Sequence, residues 1–444
     1  MTRAFRLAPG RLQAAHGRVV DGQARLVRAA LVDAGAGKPA AAFWVPGRIE
    51  VLGKHTDYAG GRSLVCAVEQ GFVVAAAPRR DSGVRVFDVA RGREARLSLD
   101  EQLGQPAESW ARYPWTVLRR LSRNFPDARQ GADIAFLSNL PLASGMSSSS
   151  AFMVAMFLAI AEINDLWSAD SFVREVHGAE ALSGYLATVE NGQSFGALTG
   201  DRGVGTFGGS EDHTAMLCCR ADQLSVYAFC PVRHERQIEW PARHRFVVAM
   251  SGVMAEKTGG ARDAYNRASL AVRAVLDVWR SASGRQDASL ADAVRVAGAE
   301  AVRDVLRRTS VDGFSTDALV DRLDQFVAES EQIIPAATEA LDAGDLDRFG
   351  ALVDRSQDLA ERALRNQVPE TIALARSARE LGAVAASAFG AGFGGSVWAL
   401  VAEGLVADFA RRWESGHRAA FPESSARAAF LTTRPGPAAM PLSH

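Results

Sequence analysis

Little in this sequence points to a disulfide framework or a zinc site. Its four cysteines, Cys66, Cys218, Cys219 and Cys230, show no C-x-x-C spacing and no matching histidine pattern, so free thiols in a reducing compartment are the simpler reading. No run of 18 apolar residues occurs, the length a membrane-spanning helix requires. The segment "MTRAFRLAPGRLQAAHG" lacks an apolar core of signal-peptide length. The expectation is a cytoplasmic protein with no membrane partner. An excess of one charge is missing too. Lys and Arg number 50 against 51 Asp and Glu, leaving no net field to attract nucleic acid. Internal repeats are absent, and the one low-complexity tract is a short serine run.

A Walker loop is also absent, although "VPGRIEVLGKHTDYAGG" at residues 45 to 61 imitates one. Five residues separate Gly47 from Gly53 where that pattern needs four, and His55 follows Lys54 where it needs Ser or Thr. An imidazole cannot replace a small hydroxyl on a hard cation.

What is present is enough chain for two cores. At 444 residues, with 48% hydrophobic and 23% charged residues, a soluble two-domain protein is the natural expectation. The first part carries short β-like runs, "AAFWV", "RIEVLG", "FVVAAA", "VRVFDV" and "ADIAFL". "SSSSAFMVAMFLAIAEINDLW" is apolar on most faces and suits a helix buried at a domain centre. A helical segment over roughly 170 to 190 follows, then two expected strands, "HTAMLCC" and "LSVYAF". The polar "CPVRHERQIEWPARH" reads as an inter-domain connection. The second part opens on the strand-like "RFVVAMSG", is mainly helical to about 383, and closes on a strand, glycine loop, strand, helix, strand alternation. The fold class is α+β in two lobes, divided as 1–238 and 239–444.

Three loops carry the chemical signal. "GVGTFG" at 203 to 208 and "GAGFGG" at 390 to 395 both satisfy G-x-G-x-x-G, but a dinucleotide site needs a helix opening on the loop. "SVWALV" after Gly395 reads as a strand, which argues against an NAD-dependent oxidoreductase. "PLASGMSSSSAF" at 141 to 152 places a glycine and four hydroxyls directly before a helix. Unpaired first-turn amides and the helix dipole favour a phosphate there, and one N-cap does not account for four serines.

"GRIEVLGKHTDYAGG", the "GMSSS" loop before its helix and "GAGFGG", in this order along the chain, resemble the sugar kinases of the GHMP superfamily, and the first of them is similar to the galactokinase signature. The resemblance implies an N-terminal lobe like the second domain of ribosomal protein S5 and a ferredoxin-like C-terminal lobe, with ATP and a sugar between them. It implies transfer of the ATP γ-phosphoryl group to the anomeric hydroxyl of galactose or a related hexose, with Mg2+ as cofactor, by a monomeric enzyme. On that resemblance Arg48 and Asp212, the latter in "GGSEDHTAML", are the catalytic pair, with Asp212 as base. Lys54, His55, Asp57, Gly209 and Tyr265 fall at sugar-binding positions. Ser144, Gly145, Met146, Ser147, Ser148, Ser149 and Ser150 form the phosphate loop, Ser149 and Glu190 hold the metal, and Gly392, Phe393, Gly394 and Gly395 close on sugar and phosphate.

Three departures from the family pattern stand out. Lys54 replaces a glutamate expected to meet the sugar's primary hydroxyl, so a C6 carboxylate becomes conceivable and a uronic acid 1-kinase is the alternative substrate reading. The glycine-rich stretch between Glu190 and Asp212 is long and could serve as a lid. "SAFG" stands where the family has Arg-x-Thr-Gly. A catalytically silent sugar and ATP sensor is the alternative of another class, disfavoured because Arg48, Asp212 and the serine run are all kept.

Overall fold

The computed structural model describes residues 6–8, 10, 12–100, 104–141, 145–254 and 259–443. Two sheets organise it. The larger holds, among the described residues, β1 (Ala41–Leu52), β2 (Arg62–Pro78), β3 (Gly83–Asp88), β4 (Arg93–Ser98), β5 (Ala132–Ser138), β6 (Gln223–Ala228) and β7 (Arg233–Glu239). The second holds β8 (His244–Met250), β9 (Ala385–Phe389), β10 (Ser396–Ala402) and β11 (Ala429–Thr433), in the antiparallel order β11-β8-β10-β9. The last strand, β12 (Met440–Pro441), returns to the first sheet and pairs with β1, giving the order β12-β1-β2-β5-β3-β4, with β6 joining β2 to β7.

Helices α1 (Ala14–Asp33), α2 (Arg112–Asn124), α3 (Ser148–Ile163), α4 (Asp170–Glu175), α5 (Ala179–Asn191) and α6 (Glu211–Cys218) accompany the first sheet. The second half carries α7 (Gly259–Ser283), α8 (Leu290–Ala297), α9 (Ala299–Arg307), α10 (Thr316–Val327), α11 (Ile334–Asp342), α12 (Leu346–Leu359), α13 (Pro369–Glu380), α14 (Val406–Ala420) and the short α15 (Pro422–Ser425). The α+β, two-lobed architecture is the one the sequence implies.

Burial explains why the central elements look as they do. All of β1 is buried, as a strand covered on both faces must be. Phe43 and Val45 join the main core, whereas Ala42 and Trp44 pack with Val20, Ala24 and Val27 of α1. Helix α3 is buried continuously from Ser150 to Ala161, which is why its sequence shows no polar face. Main-core residues come from both sheets, Phe246, Trp398 and Leu400 included, so the two halves share one apolar interior.

Two expectations need correction. "HTAMLCC" is helix α6, not a strand: Glu211 and Asp212 occupy its first turn, where acidic groups complement the exposed amides. The presumed connection "CPVRHERQIEWPARH" contains β7, paired with β6 from Gln223–Glu239 to Ala228–Arg233. Its polar residues are mostly exposed, because this edge of the sheet faces solvent. The second sheet therefore begins at His244.

Candidate active site

Alternation along β1 sets the site. Ile49 and Val51 enter the core, while Arg48 and Glu50 take the opposite face and line a cavity of about 590 Å³. Residues from both lobes enclose it, including Asp57, Ser147 and Asp212 from the first and Tyr265, Phe389 and Gly390 from the second.

Arg48 is the centre of the arrangement. Its Nε donates to Asp212 Oδ1 at 2.8 Å and its Nη2 lies 2.6 Å from the same oxygen. Nη1 donates to the carbonyl of Gly145, and the guanidinium sits 5.9 Å from the centre of the Phe389 ring. Burial opposes its charge, yet Asp212, Glu211 and Glu50 outweigh that effect and its pKa is raised. One side chain thus links Asp212, the serine loop and the end of β9.

The serine loop enters α3 through Ser147, whose backbone is left-handed at φ 54°. Gly145, Ser147, Ser148 and Ser149 line the cavity. Met146 instead turns into the core, and its carbonyl accepts from the Arg48 amide at 3.4 Å. Ser144 lies outside the described residues. Ser150 Oγ, rather than Ser149 as the sequence suggested, reaches Glu190 Oε2 at 2.7 Å and Asp212 Oδ2 at 3.2 Å. One helix position separates the two serines, enough to rotate the hydroxyl by about 100°. Two carboxylates and a hydroxyl converging on one point form an oxygen-only donor set that fits a hard divalent cation. His213 Nε2 stands 3.4 Å from Glu190.

The turn after β1 is tightly held. Gly53 has φ 122°, and a Cβ there would strike Ser63, so only glycine fits. His55, also left-handed at φ 58°, places Nε2 3.0 Å from the Ala391 carbonyl and Nδ1 2.7 Å from the Tyr58 hydroxyl. The carbonyl requires a proton on Nε2, so Nδ1 accepts from Tyr58. Burial, helped by Arg322 and Lys54, lowers the His55 pKa to about 4, so the ring is neutral near pH 7. Its ring centroid lies 5.2 Å from that of Tyr265. Asp57 accepts from the amides of Tyr58 at 2.8 Å and Glu211 at 3.1 Å. Burial raises its pKa, and those two amides oppose the shift. Gly209 lies against Asp57 so closely that a Cβ would collide with the carboxylate.

Lys54 does not face the cavity. It is 1% exposed, and its Nζ donates to Ser356 Oγ of α12 at 3.0 Å, which in turn donates to Glu329 Oε1 at 2.9 Å. Neither a sugar-facing nor a solvent-facing lysine describes it. The glycine loop also divides. Phe389 to Gly392 line the cavity, whereas Phe393 and Gly395 bond through their amides to the carbonyls of Asn366 at 2.5 Å and Val253 at 2.9 Å. Phe393, Gly394 and Gly395 therefore brace the loop from behind.

Sequence reasoning passed over several residues here. Glu50 lines the cavity with Oε1 unpartnered, and burial, opposed by Lys54 and Arg48, pushes its carboxyl up to about 7. Glu211 is buried beside Arg48, accepts from Ser63 Oγ at 2.5 Å, and is raised well above the usual carboxylate range, first by burial and then by Glu50 and Asp57. Beyond the serines, Trp110, Phe72, Phe136 and Phe152 form an aromatic wall, with Arg93 5.0 Å above the Trp110 ring. The alternation of β1 was the available signal for Glu50; aromatic residues from separate elements gave none.

Known proteins share the signature and the fold. Residues 34–78 match the galactokinase galactose-binding signature, 112–189 the N-terminal domain of GHMP kinases and 337–418 their C-terminal domain. Galactokinase of Actinobacillus pleuropneumoniae serotype 5b is 28% identical over 375 residues, covering 82% of this chain and 85% of its own. That of Haemophilus influenzae strain KW20 is 27% identical over 370 residues, with the same coverage. The structure of Lactococcus lactis galactokinase complexed with galactose superposes with a TM-score of 0.72 at 20% identity, covering 97% of this chain and all of that one. Mevalonate kinase of Methanococcus jannaschii gives 0.56 at 12% identity, covering 88% and 97%. Fold and matches together are similar to those of GHMP-superfamily kinases, a class of phosphotransferases with an alcohol acceptor. Within that class the chain resembles the sugar kinases of the galactokinase type.

Proposed function

We propose that the protein is an ATP-dependent sugar 1-kinase acting on galactose or a related neutral hexose, with its lobes divided near residues 238 and 239. The observation that carries this reading is the convergence of Arg48, Asp212 and the serine loop on one end of the inter-lobe cavity. The nucleotide base lies against the aromatic wall of Trp110, Phe72, Phe136 and Phe152. Its phosphates run to the first turn of α3, where Ser147, Ser148, Ser149 and the free amides of the helix terminus receive them.

The sugar occupies the region between His55, Asp57, Gly209 and Tyr265. Asp57, already fixed by two amides, presents an acceptor for sugar hydroxyls, and the neutral His55 is locked in orientation by Tyr58 and Ala391. In the reaction the anomeric oxygen bonds to the γ-phosphorus while the bond from that phosphorus to the bridging oxygen of ADP breaks. Asp212 takes the proton of the attacking hydroxyl. Arg48 orients Asp212 and places positive charge beside the transferring group. Glu190 and Ser150 would hold Mg2+, which supplies charge neutralisation on the phosphate oxygens.

Lys54, bound to Ser356 behind the site, gives no support to the uronate reading. The test is ADP release with Mg-ATP and galactose, glucose, arabinose, galacturonate or glucuronate, the product linkage being read by phosphorus NMR. An anomeric phosphate on a neutral hexose is expected. Asp212→Asn is expected to lower kcat by about two to four orders of magnitude while calorimetric sugar binding survives; near-normal turnover would remove Asp212 from the mechanism.

A further inference from the structure

Glu50 is a buried carboxyl whose local partners are committed elsewhere. It lines the cavity two residues along β1 from Arg48, is 4% exposed, and its Oε1 has no hydrogen-bond partner. Arg48 is engaged by Asp212 and Gly145, and the Lys54 ammonium by Ser356. An acceptor held in a cavity without a donor is costly, and a ligand that brings the donor removes the cost. The two positions also compensate one another in charge. A lysine stands at position 54, where the galactokinase-like pattern has a carboxylate, and a carboxylate stands at 50, close enough for Lys54 to act on its ionisation.

We propose that Glu50 is a substrate-binding, specificity-determining residue: its carboxylate accepts a hydrogen bond from a hydroxyl of the bound sugar, and the site thereby admits neutral aldoses and refuses a carboxylate at that position. This rests on the sugar-kinase reading and narrows it. Above about pH 7, where Glu50 is ionised, a uronate would set two carboxylates against each other in a buried site. A hydroxyl satisfies the carboxylate, as an amino substituent would.

The experiment compares wild type, Glu50→Gln and Glu50→Leu on the best aldose, its singly deoxygenated analogues and its uronate, with the thermal midpoint of each variant recorded. Glu50→Leu is expected to raise KM for the aldose by about ten- to a hundredfold with KM for ATP unchanged. One deoxy sugar, poor with wild type, loses its penalty relative to the parent sugar in that variant. Glu50→Gln, nearly isosteric and still an acceptor, keeps the aldose while narrowing discrimination against the uronate. If every deoxy penalty is the same in wild type and Glu50→Leu, or the uronate discrimination is the same in wild type and Glu50→Gln, the inference fails while the kinase reading stands. If wild type neither binds nor phosphorylates any aldose, both fail.

Discussion

Two buried groups facing the same cavity titrate in opposite senses, and this gives a prediction at the scale of single residues. His55 is held neutral, its pKa lowered from 6.5 to about 4 by burial, Arg322 and Lys54. Unfolding lets it take up a proton below 6.5, so its effect is to lose stability as pH falls from about 6.5 toward 4. Glu50 is raised from 4.5 to about 7 by burial, with Glu329 and Asp57 adding to the shift and Lys54 and Arg48 opposing it. Folding then keeps a proton the unfolded chain has released, and stability is lost as pH rises from about 4.5 to 7. In the overlapping window the two slopes cancel in part. Glu50→Gln removes one of them, so the stability of the variant relative to wild type is expected to grow from pH 4.5 to 7. The gain reaches at most about 3 kcal/mol for a shift of this size, and denaturant titrations at pH 5, 6, 7 and 8 read it directly. A difference independent of pH would mean that Glu50 ionises in the fold as it does in the unfolded chain.

At the scale of elements, the site depends on two loops meeting backbone to backbone. Gly390 after β9 has φ 79°, and a Cβ there would lie 3.0 Å from the Gly145 carbonyl and 3.5 Å from Arg48 Nη2. Gly390→Ala is expected to lower stability by about 1–2 kcal/mol through its left-handed backbone. Because Gly145 is the carbonyl that anchors Arg48, kcat should fall by about ten- to a hundredfold as well. Steady-state kinetics beside a denaturant titration separate the two effects, and an unchanged kcat at the same stability loss would make the contact purely structural. The loops themselves were legible in the sequence, since glycine and serine runs at element boundaries carry their own physical reason. Strand alternation in the first sheet and the apolar surround of α3 were legible for the same cause. Helix α6 was not: "HTAMLCC" is too short an apolar run for periodicity to separate strand from helix. Its first turn, Glu211 and Asp212, held the missing information. Strand β7 was hidden by its exposed polar residues, and the choice between Ser149 and Ser150 depends on where α3 begins, a matter of one residue that composition cannot decide.

The whole molecule explains why Lys54 could not be placed from its motif. Residues 53 to 55 are gripped by the C-terminal half: Glu329 accepts from the amides of Gly53 at 2.8 Å and Lys54 at 3.4 Å, Gln325 donates to the Lys54 carbonyl at 3.1 Å, and Arg322 donates to the His55 carbonyl at 2.5 Å. These partners lie more than 260 residues away in the chain, so local pattern carries no trace of them. Lys54 completes the network through Ser356, and it is the buried cation that faces the buried Glu329 across that hydroxyl. The turn after β1 is thereby fixed to the helices of the other lobe. Lys54→Met would leave the Glu329 charge uncompensated in the interior, a loss of about 3–5 kcal/mol. Adding Glu329→Gln should restore much of it by removing the stranded charge, while either single change destabilises. A double-mutant cycle on global unfolding measures this coupling. Additive losses would mean that Lys54 and Glu329 act independently and that the turn is held by its backbone bonds alone. A strong coupling that leaves sugar preference untouched would fix Lys54 as a lobe-joining residue and leave specificity to the cavity face of β1.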